Sequence, residues 1–221
     1  MRVTTPEERT PRVSTRTVEL FVDPACPFAW MTSRWLLHAS EVREIEPVYS
    51  VMSLSVLNEG RDLDPGYRAM LDDSWGPARL AIAIREAEGN EAFSRWYTAW
   101  GERFHVGDQK GDRRATATAA LEDAGLPAAL IDAYDRTEGD EVEQALRASH
   151  AEAIDKVGDD VGTPVISFGE GTEGTAYFGP VVSPAPKGEA AGRLLDGLEA
   201  LAGVQGFYEL KRSRTGGIDL S

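Results

Sequence analysis

The sequence of 221 residues predicts an α/β fold, and three observations carry that prediction. Residues 18–23 are apolar enough for an interior strand, and Pro27 then opens a helix that runs to about Ser40. A long block of helical periodicity follows further along the chain. Strand patterns return at Thr163 to Phe168 and at Ala176 to Phe178, and their close spacing predicts an antiparallel hairpin.

The stretch Ile45 to Leu54 is predicted as a second strand, parallel to the first, because a strand–helix–strand succession calls for a right-handed crossover. Pro47 has no amide hydrogen to give to a neighbouring strand, which places this strand at an edge of the sheet.

Several helices are predicted between the two halves of the sheet. The clearest runs from Glu91 to Phe104, where aromatic residues recur on one face and indicate core packing. Pro127 is expected as a first helical residue, and Asp140 as the cap of a helix ending at Val157. A last amphipathic helix is expected from Gly188 to Leu201.

The predicted order is that of the thioredoxin fold with a helical insertion before its second half. The thioredoxin-like domain then comprises residues 17–63 and 159–210, and the inserted helical domain comprises residues 64–158. Residues 1–16 are expected to form a disordered leader, and residues 211–221 a flexible tail.

Composition narrows the functional classes. A net charge of −14 argues against nucleic acid or an anionic membrane as a partner, since both are polyanions. The polar leader resembles neither a signal peptide nor a membrane anchor. One cysteine can form neither an intrachain disulfide nor a paired-cysteine metal site, and it fits a cytoplasmic location. The sequence leaves a homodimer open.

Cys26 is the candidate nucleophile. It stands directly before a helix whose first residue is Pro27, so its sulfur faces unpaired amide groups and the positive end of the helix dipole. That position favours thiolate over thiol. The other interpretation is a buried and inert cysteine.

The segment Asp23 to Trp30, with the Thr163-Pro164 pair, resembles the active site of the DsbA-like branch of the thioredoxin superfamily. This branch includes kappa-class glutathione transferases and chromene-carboxylate isomerases. The sequence is most similar to the actinobacterial mycothiol-dependent nitroreductases, over roughly residues 17–215. The segments that carry this resemblance include residues 32–35, 51–54, 58–59, 75–77, 158–164, 178–180 and 209–212.

The sequence departs from these relatives at position 29. They commonly carry Cys-Pro-Trp-Cys, whereas this chain has Cys26-Pro27-Phe28-Ala29. A second thiol one helical turn away would resolve a mixed disulfide, and Ala29 cannot. The prediction is therefore a monothiol oxidoreductase that has no tightly bound cofactor and takes mycothiol or glutathione as co-substrate. Its substrate would be a disulfide or a small electrophile such as a nitro compound.

The resemblance implies a set of residues around the bound thiol and substrate, with Pro164 in the cis form opposite Cys26: Pro27, Phe28, Trp30, Asn58, Tyr67, His105, Thr163 and Pro164. Asn58 is equally compatible with a turn cap, Tyr67 with a half-buried ring and His105 with a helix-terminal cation. His150 is expected to be structural, and Asp23 to shape its loop through backbone donors.

Two other functions stay open. A kappa-like transferase or isomerase would bind the thiol without a covalent bond to Cys26. A catalytically silent protein would keep the fold and bind ligands only.

Overall fold

The structure is a computed structural model that describes residues 16–136, 140–169 and 174–220. In the described part, four strands form one sheet in the order β2-β1-β3-β4. They are β1 (Arg16–Val22), β2 (Ile45–Val51), β3 (Val165–Phe168) and β4 (Thr175–Phe178). β1 pairs in parallel with β2 and antiparallel with β3, and β3 pairs antiparallel with β4. β2 lies at an edge, as Pro47 predicts.

The helices are α1 (Pro27–Ser40), α2 (Leu54–Leu57), α3 (Pro65–Asp72), α4 (Trp75–Gly101), α5 (Arg113–Asp123), α6 (Glu141–Val157) and α7 (Glu189–Ala202). A π-helical turn (Glu102–Val106) continues α4, and a 3₁₀ helix (Ala128–Asp135) follows α5. Gly89 interrupts α4 with φ of 83°, at the Gly89-Asn90 break in the periodicity. Among the described helices none is long and apolar enough to cross a membrane.

β1 is an interior strand because both of its faces are covered. Val18, Leu20, Phe21 and Val22 are all fully buried. Helix α1 packs on α7, and the Trp35 indole nitrogen donates to the carbonyl oxygen of Ala191 over 3.1 Å. The sheet thereby fixes the C-terminal ends of β1 and β2, which lead into the loops before α1 and α2.

The aromatic face predicted for the inserted helices is a core. Phe93, Trp96, Trp100 and Phe104 form a continuous stack in which the Trp96 and Trp100 rings lie 5.7 Å apart and the Trp100 and Phe104 rings 4.5 Å apart. All four are buried. The stack ends beside the loop that carries Cys26, so the inserted helices pack against that loop.

Several predicted boundaries differ from the structure, among them the start of β3, which is Val165 and not Thr163. β2 ends at Val51 and not at Leu54, because the Ser53 hydroxyl accepts the amide hydrogen of Val56 and starts α2. Pro127 is the cap of a 3₁₀ helix and not a first helical residue. Arg16, placed in the leader, is the first residue of β1, and the rest of that predicted leader lies outside the described residues.

Gly101 provides a stability test. A Cβ atom at this position would clash with the Trp30 ring, whereas a Cβ at Gly197 in α7 meets no atom of the described residues within 4 Å. We expect Gly101→Ala to lower the free energy of unfolding by about 1–3 kcal/mol through overpacking. Gly197→Ala should raise it by about 0.5–1 kcal/mol, because alanine favours the helix.

Urea denaturation followed by circular dichroism measures both changes. Equal effects of the two substitutions would contradict the close packing of Gly101 against Trp30.

Candidate active site

Cys26 lies in the loop that leads from β1 into α1. It is the N-terminal cap of α1, with extended backbone angles, and its sulfur accepts the amide hydrogen of Ala29 over 3.5 Å. Its own amide donates to the carbonyl oxygen of Asp23 over 3.0 Å. The geometry predicted from Cys26-Pro27 is therefore present, with the sulfur at the positive end of the helix.

The opposite wall of the site comes from the segment before β3. The Cys26 thiol donates to the carbonyl oxygen of Thr163 over 3.5 Å, and the Thr163-Pro164 peptide bond is cis. The Thr163 hydroxyl is buried and has no hydrogen-bond partner among the described residues. A hydroxyl group can donate to a thiolate, and the Thr163 side chain lowers the pKa of the Cys26 thiol.

Burial governs the acidity of Cys26. The side chain is only 6 % exposed, and desolvation raises the pKa of the thiol above its ordinary value. The Thr163 side chain and the Ala29 amide lower this pKa, whereas the negative charge of Asp23 raises it. Desolvation is the largest of these effects. The helix terminus alone therefore does not make Cys26 a thiolate, contrary to what its position predicts.

Asp23 shapes the loop, as expected. Its fully buried carboxylate accepts the amide hydrogens of Ala25 over 2.8 Å and of Leu54 over 2.7 Å. It thereby connects the loop after β1 to the loop after β2. Burial raises the pKa of Asp23 to about 6, although both amide donors and the more distant Arg113 lower it.

Three of the predicted binding residues lie around the outer side of Cys26. Pro27 is the first residue of α1, and the half-buried ring of Phe28 faces the guanidinium of Arg214 at 4.6 Å. Tyr67 opens α3 and is 38 % exposed. Burial raises the pKa of Tyr67, and the charges of Asp23 and Cys26 raise it further.

Three further predicted binding residues are packed into the protein. Trp30 is 1 % exposed and lies between Tyr97, His105 and the guanidinium of Arg34. His105 is bonded through Nε2 to the carbonyl oxygen of Pro24 over 3.0 Å, and burial lowers its pKa to about 4. Asn58 caps α2, with its side-chain amide donating to the carbonyl oxygen of Leu54.

Trp100 is a site residue that sequence reasoning assigned only to the core. Its indole nitrogen donates to the carbonyl oxygen of Pro24 over 2.7 Å, the same oxygen that His105 contacts. Since that oxygen only accepts, the neutral His105 donates from Nε2. Two rings of the insertion thus hold the loop directly before Cys26. No sequence signal separates Trp100 from its neighbours in the aromatic stack.

His150 is not part of this arrangement. It lies on α6 near Glu59 and Arg147, and burial lowers its pKa to about 4, so it is uncharged at neutral pH. Its structural assignment agrees with this position.

Replacing Asp23 tests how far burial and the negative charge of Asp23 each raise the pKa of the Cys26 thiol. We expect iodoacetamide to alkylate Cys26 with a pH midpoint above that of free cysteine, about 8.5, because burial disfavours the thiolate. Asp23→Asn should lower this midpoint by removing a negative charge. The rate of alkylation as a function of pH measures both.

Asp132→Asn is the control, since it makes the same charge change at an exposed position in the 3₁₀ helix. A wild-type midpoint below that of free cysteine would show that the helix terminus, and not burial, controls the thiol.

Comparison with known proteins places this geometry in context. The chain is 30 % identical over 201 residues to the uncharacterized protein Rv2286c of Mycobacterium tuberculosis, covering 90 % of this chain and 83 % of that protein. The structure resembles a proposed protein disulfide isomerase from Nitrosomonas europaea, with a TM-score of 0.55 and 16 % identity, over 84 % of this chain and 98 % of the other. It also resembles the cytosolic disulfide reductase DsbM from Pseudomonas aeruginosa with GSH, with a TM-score of 0.52 and 14 % identity, over 83 % and 99 %.

These likenesses show a DsbA-like thioredoxin fold with additional helices. The family model described as "Mycothiol-dependent nitroreductase Rv2466c" matches residues 25–212, a range that contains Cys26, Thr163 and the whole helical insertion. By the extent of that match, the chain belongs to the Rv2466c-like family.

Proposed function

We propose that the protein is a thiol-dependent oxidoreductase in which Cys26 acts as a single thiol and a low-molecular-weight thiol is the co-substrate. The observation that carries the proposal is the position of the Cys26 sulfur, between the N-terminus of α1 and the carbonyl oxygen of Thr163, with Ala29 one turn further along the helix. The family description and the thiol–disulfide proteins that share the fold support it.

The reaction begins when Cys26 loses its proton and attacks a disulfide. A bond forms between Cys26 and one substrate sulfur, the substrate disulfide breaks, and the other sulfur leaves as a thiolate. A free thiol then attacks the mixed disulfide at the substrate sulfur, and Cys26 leaves as a thiolate that regains a proton. The co-substrate is oxidised to a disulfide with the substrate, and the protein returns to its starting state.

Two hydrogen-bond donors support the thiolate that this cycle requires. The Ala29 amide already contacts the sulfur, and the Thr163 side chain also lowers the pKa of the thiol. Because the site is buried, each of these donors has a larger effect than it would in water. The half-buried Phe28 and the exposed Tyr67 would border the entering molecule.

Mycothiol is the proposed co-substrate because the matching family is described as mycothiol-dependent. The structure of DsbM with GSH makes glutathione the thiol to compare with it. A nitro compound would replace the disulfide as the oxidant: two thiols form one disulfide and supply two electrons, and the nitro group becomes a nitroso group with release of water. The cytoplasm, where thiols stay reduced, is the proposed location.

Intact-mass spectrometry tests the covalent step. Incubation with oxidised mycothiol, or with oxidised glutathione in parallel, should raise the mass of the protein by one thiol less two hydrogens, because Cys26 and the added thiol each lose one hydrogen when the disulfide forms. Cys26→Ser should show no adduct, because no other cysteine is present. Absence of an adduct on the wild-type protein over the whole accessible pH range would refute the monothiol cycle.

Restoring a second thiol tests the role of Ala29. In Ala29→Cys the new sulfur lies one turn from Cys26 and should attack the mixed disulfide. We expect the adduct to disappear and the protein to lose two hydrogens instead, as the disulfide between positions 26 and 29 forms. Persistence of the adduct in a folded Ala29→Cys protein would contradict the proposed geometry.

The burial of Cys26 favours one second candidate, a transferase that binds the thiol without a covalent bond. A thiol with a raised pKa is a weak nucleophile but can still contact a bound ligand. In that case reduced mycothiol should bind Cys26→Ser as tightly as it binds the wild type, as measured by calorimetry. Affinity lost with the sulfur would reject this candidate.

A further inference from the structure

A cavity of about 150 Å³ lies along α1, beyond the turn that carries Cys26. Much of its wall is apolar and comes from three separate parts of the chain: Trp30 with Met31, Val106, and Leu220. An apolar protein cavity of about this volume accommodates a benzene-sized molecule. The space therefore suits a small organic body of one ring or a short chain.

Charged side chains complete the wall. Arg34 and Lys187 contribute two positive charges, and Glu102 contributes one negative charge. His38 also lines the cavity, with Nδ1 lying 3.6 Å from the carboxylate of Glu41. The fixed charges of arginine, lysine and glutamate leave the cavity positive, in a protein whose net charge is −14.

Arg34 has no counter-ion among the described residues. Its Nε and Nη1 donate to the hydroxyl groups of Ser33 and Thr98, and its Nη2 is buried without a partner. The guanidinium lies 4.1 Å above the Trp30 ring, which fixes its position. Burial lowers the pKa of Arg34. A buried cation without a carboxylate partner is costly, and an anion nearby would offset that cost.

Glu102 does not fill this role. It lines the same cavity and its charge acts on Arg34, but no ion pair joins the two side chains within 4.0 Å among the described residues. Its side chain belongs to an exposed residue, where water screens the charge. Arg34 is partly exposed, so Glu102 and water offset part of its charge, but no carboxylate contacts it among the described residues.

We propose that this cavity binds a small organic anion, with its carboxylate or phosphate group near Arg34 and Lys187 and its apolar body against Met31, Val106 and Leu220. The site is separate from the Cys26 sulfur and does not depend on the proposed thiol chemistry. Its position one turn along α1 from the active-site loop would let a bound anion reach toward that loop.

Benzoate, phenylphosphonate and benzamide are the probes. They share a ring that fits the cavity, and only the first two carry a negative charge. We expect saturable shifts of the Arg34 side-chain Nε–H and Lys187 amide signals in nitrogen-15 NMR spectra with both anions at constant ionic strength. Whichever of the two anions binds more tightly shows whether the site prefers a carboxylate or a phosphonate group. The Cys26→Ser protein should respond in the same way, so failure of the thiol proposal would not affect this result.

Two exposed residues test the charge of the cavity without disturbing the core. Lys187→Gln should weaken benzoate binding roughly two- to fivefold, and Glu102→Gln should strengthen it by a similar factor, since half-exposed charges contribute about 0.4–1 kcal/mol. Arg193→Gln on α7, an exposed residue outside the cavity wall, is the matched control and should leave binding unchanged.

The opposite changes from Lys187→Gln and Glu102→Gln are a signature that a merely structural role would not give. Benzamide binding as tightly as benzoate would overturn the proposal. So would shifts that do not saturate up to the solubility limit of benzoate, or that are equal in wild type and Lys187→Gln.

Discussion

The buried carboxylate of Asp23 is the contact on which the arrangement of the active site depends. Its two oxygens accept amide hydrogens from the loops after β1 and β2, so one side chain fixes the entrances to α1 and α2. A buried acid is tolerated there because both oxygens are satisfied. The arrangement has a chemical cost, since the negative charge adds to the desolvation that already raises the pKa of Cys26.

Local sequence patterns predicted most of the fold, because most of its helices and strands form where their own residues favour them. The edge position of β2 and the cap at Asp140 follow from single residues whose chemistry permits few alternatives, and the β3–β4 hairpin follows from the short connection between its strands. The end of β2 did not follow, because Ser53 competes as a helix cap within an apolar run. Periodicity alone could not show that α4 continues into a π-helical turn.

The position of the active site could be predicted from the sequence. The pKa of Cys26 could not. The sequence places Cys26 at a helix start, the family resemblance implies that Thr163-Pro164 lies opposite it, and the structure brings them together. The acidity of Cys26 depends on how deeply the sulfur is buried, and the loop that carries it is held through Pro24 by Trp100 and His105 of the insertion. Such burial comes from residues far away in sequence. For the same reason the buried Nη2 of Arg34, which has no partner among the described residues, has no local sequence signature.

The hydrogen bond from Cys26 to Thr163 joins positions 137 residues apart. Contacts of such long range form late in folding, since the intervening chain must first be ordered. During synthesis Cys26 leaves the ribosome long before β3 exists, and it then has the acidity of an ordinary cysteine. Closing the sheet covers the sulfur and raises its pKa. The Cys26 thiol is therefore most accessible to oxidants before the chain has folded, and the completed fold protects it.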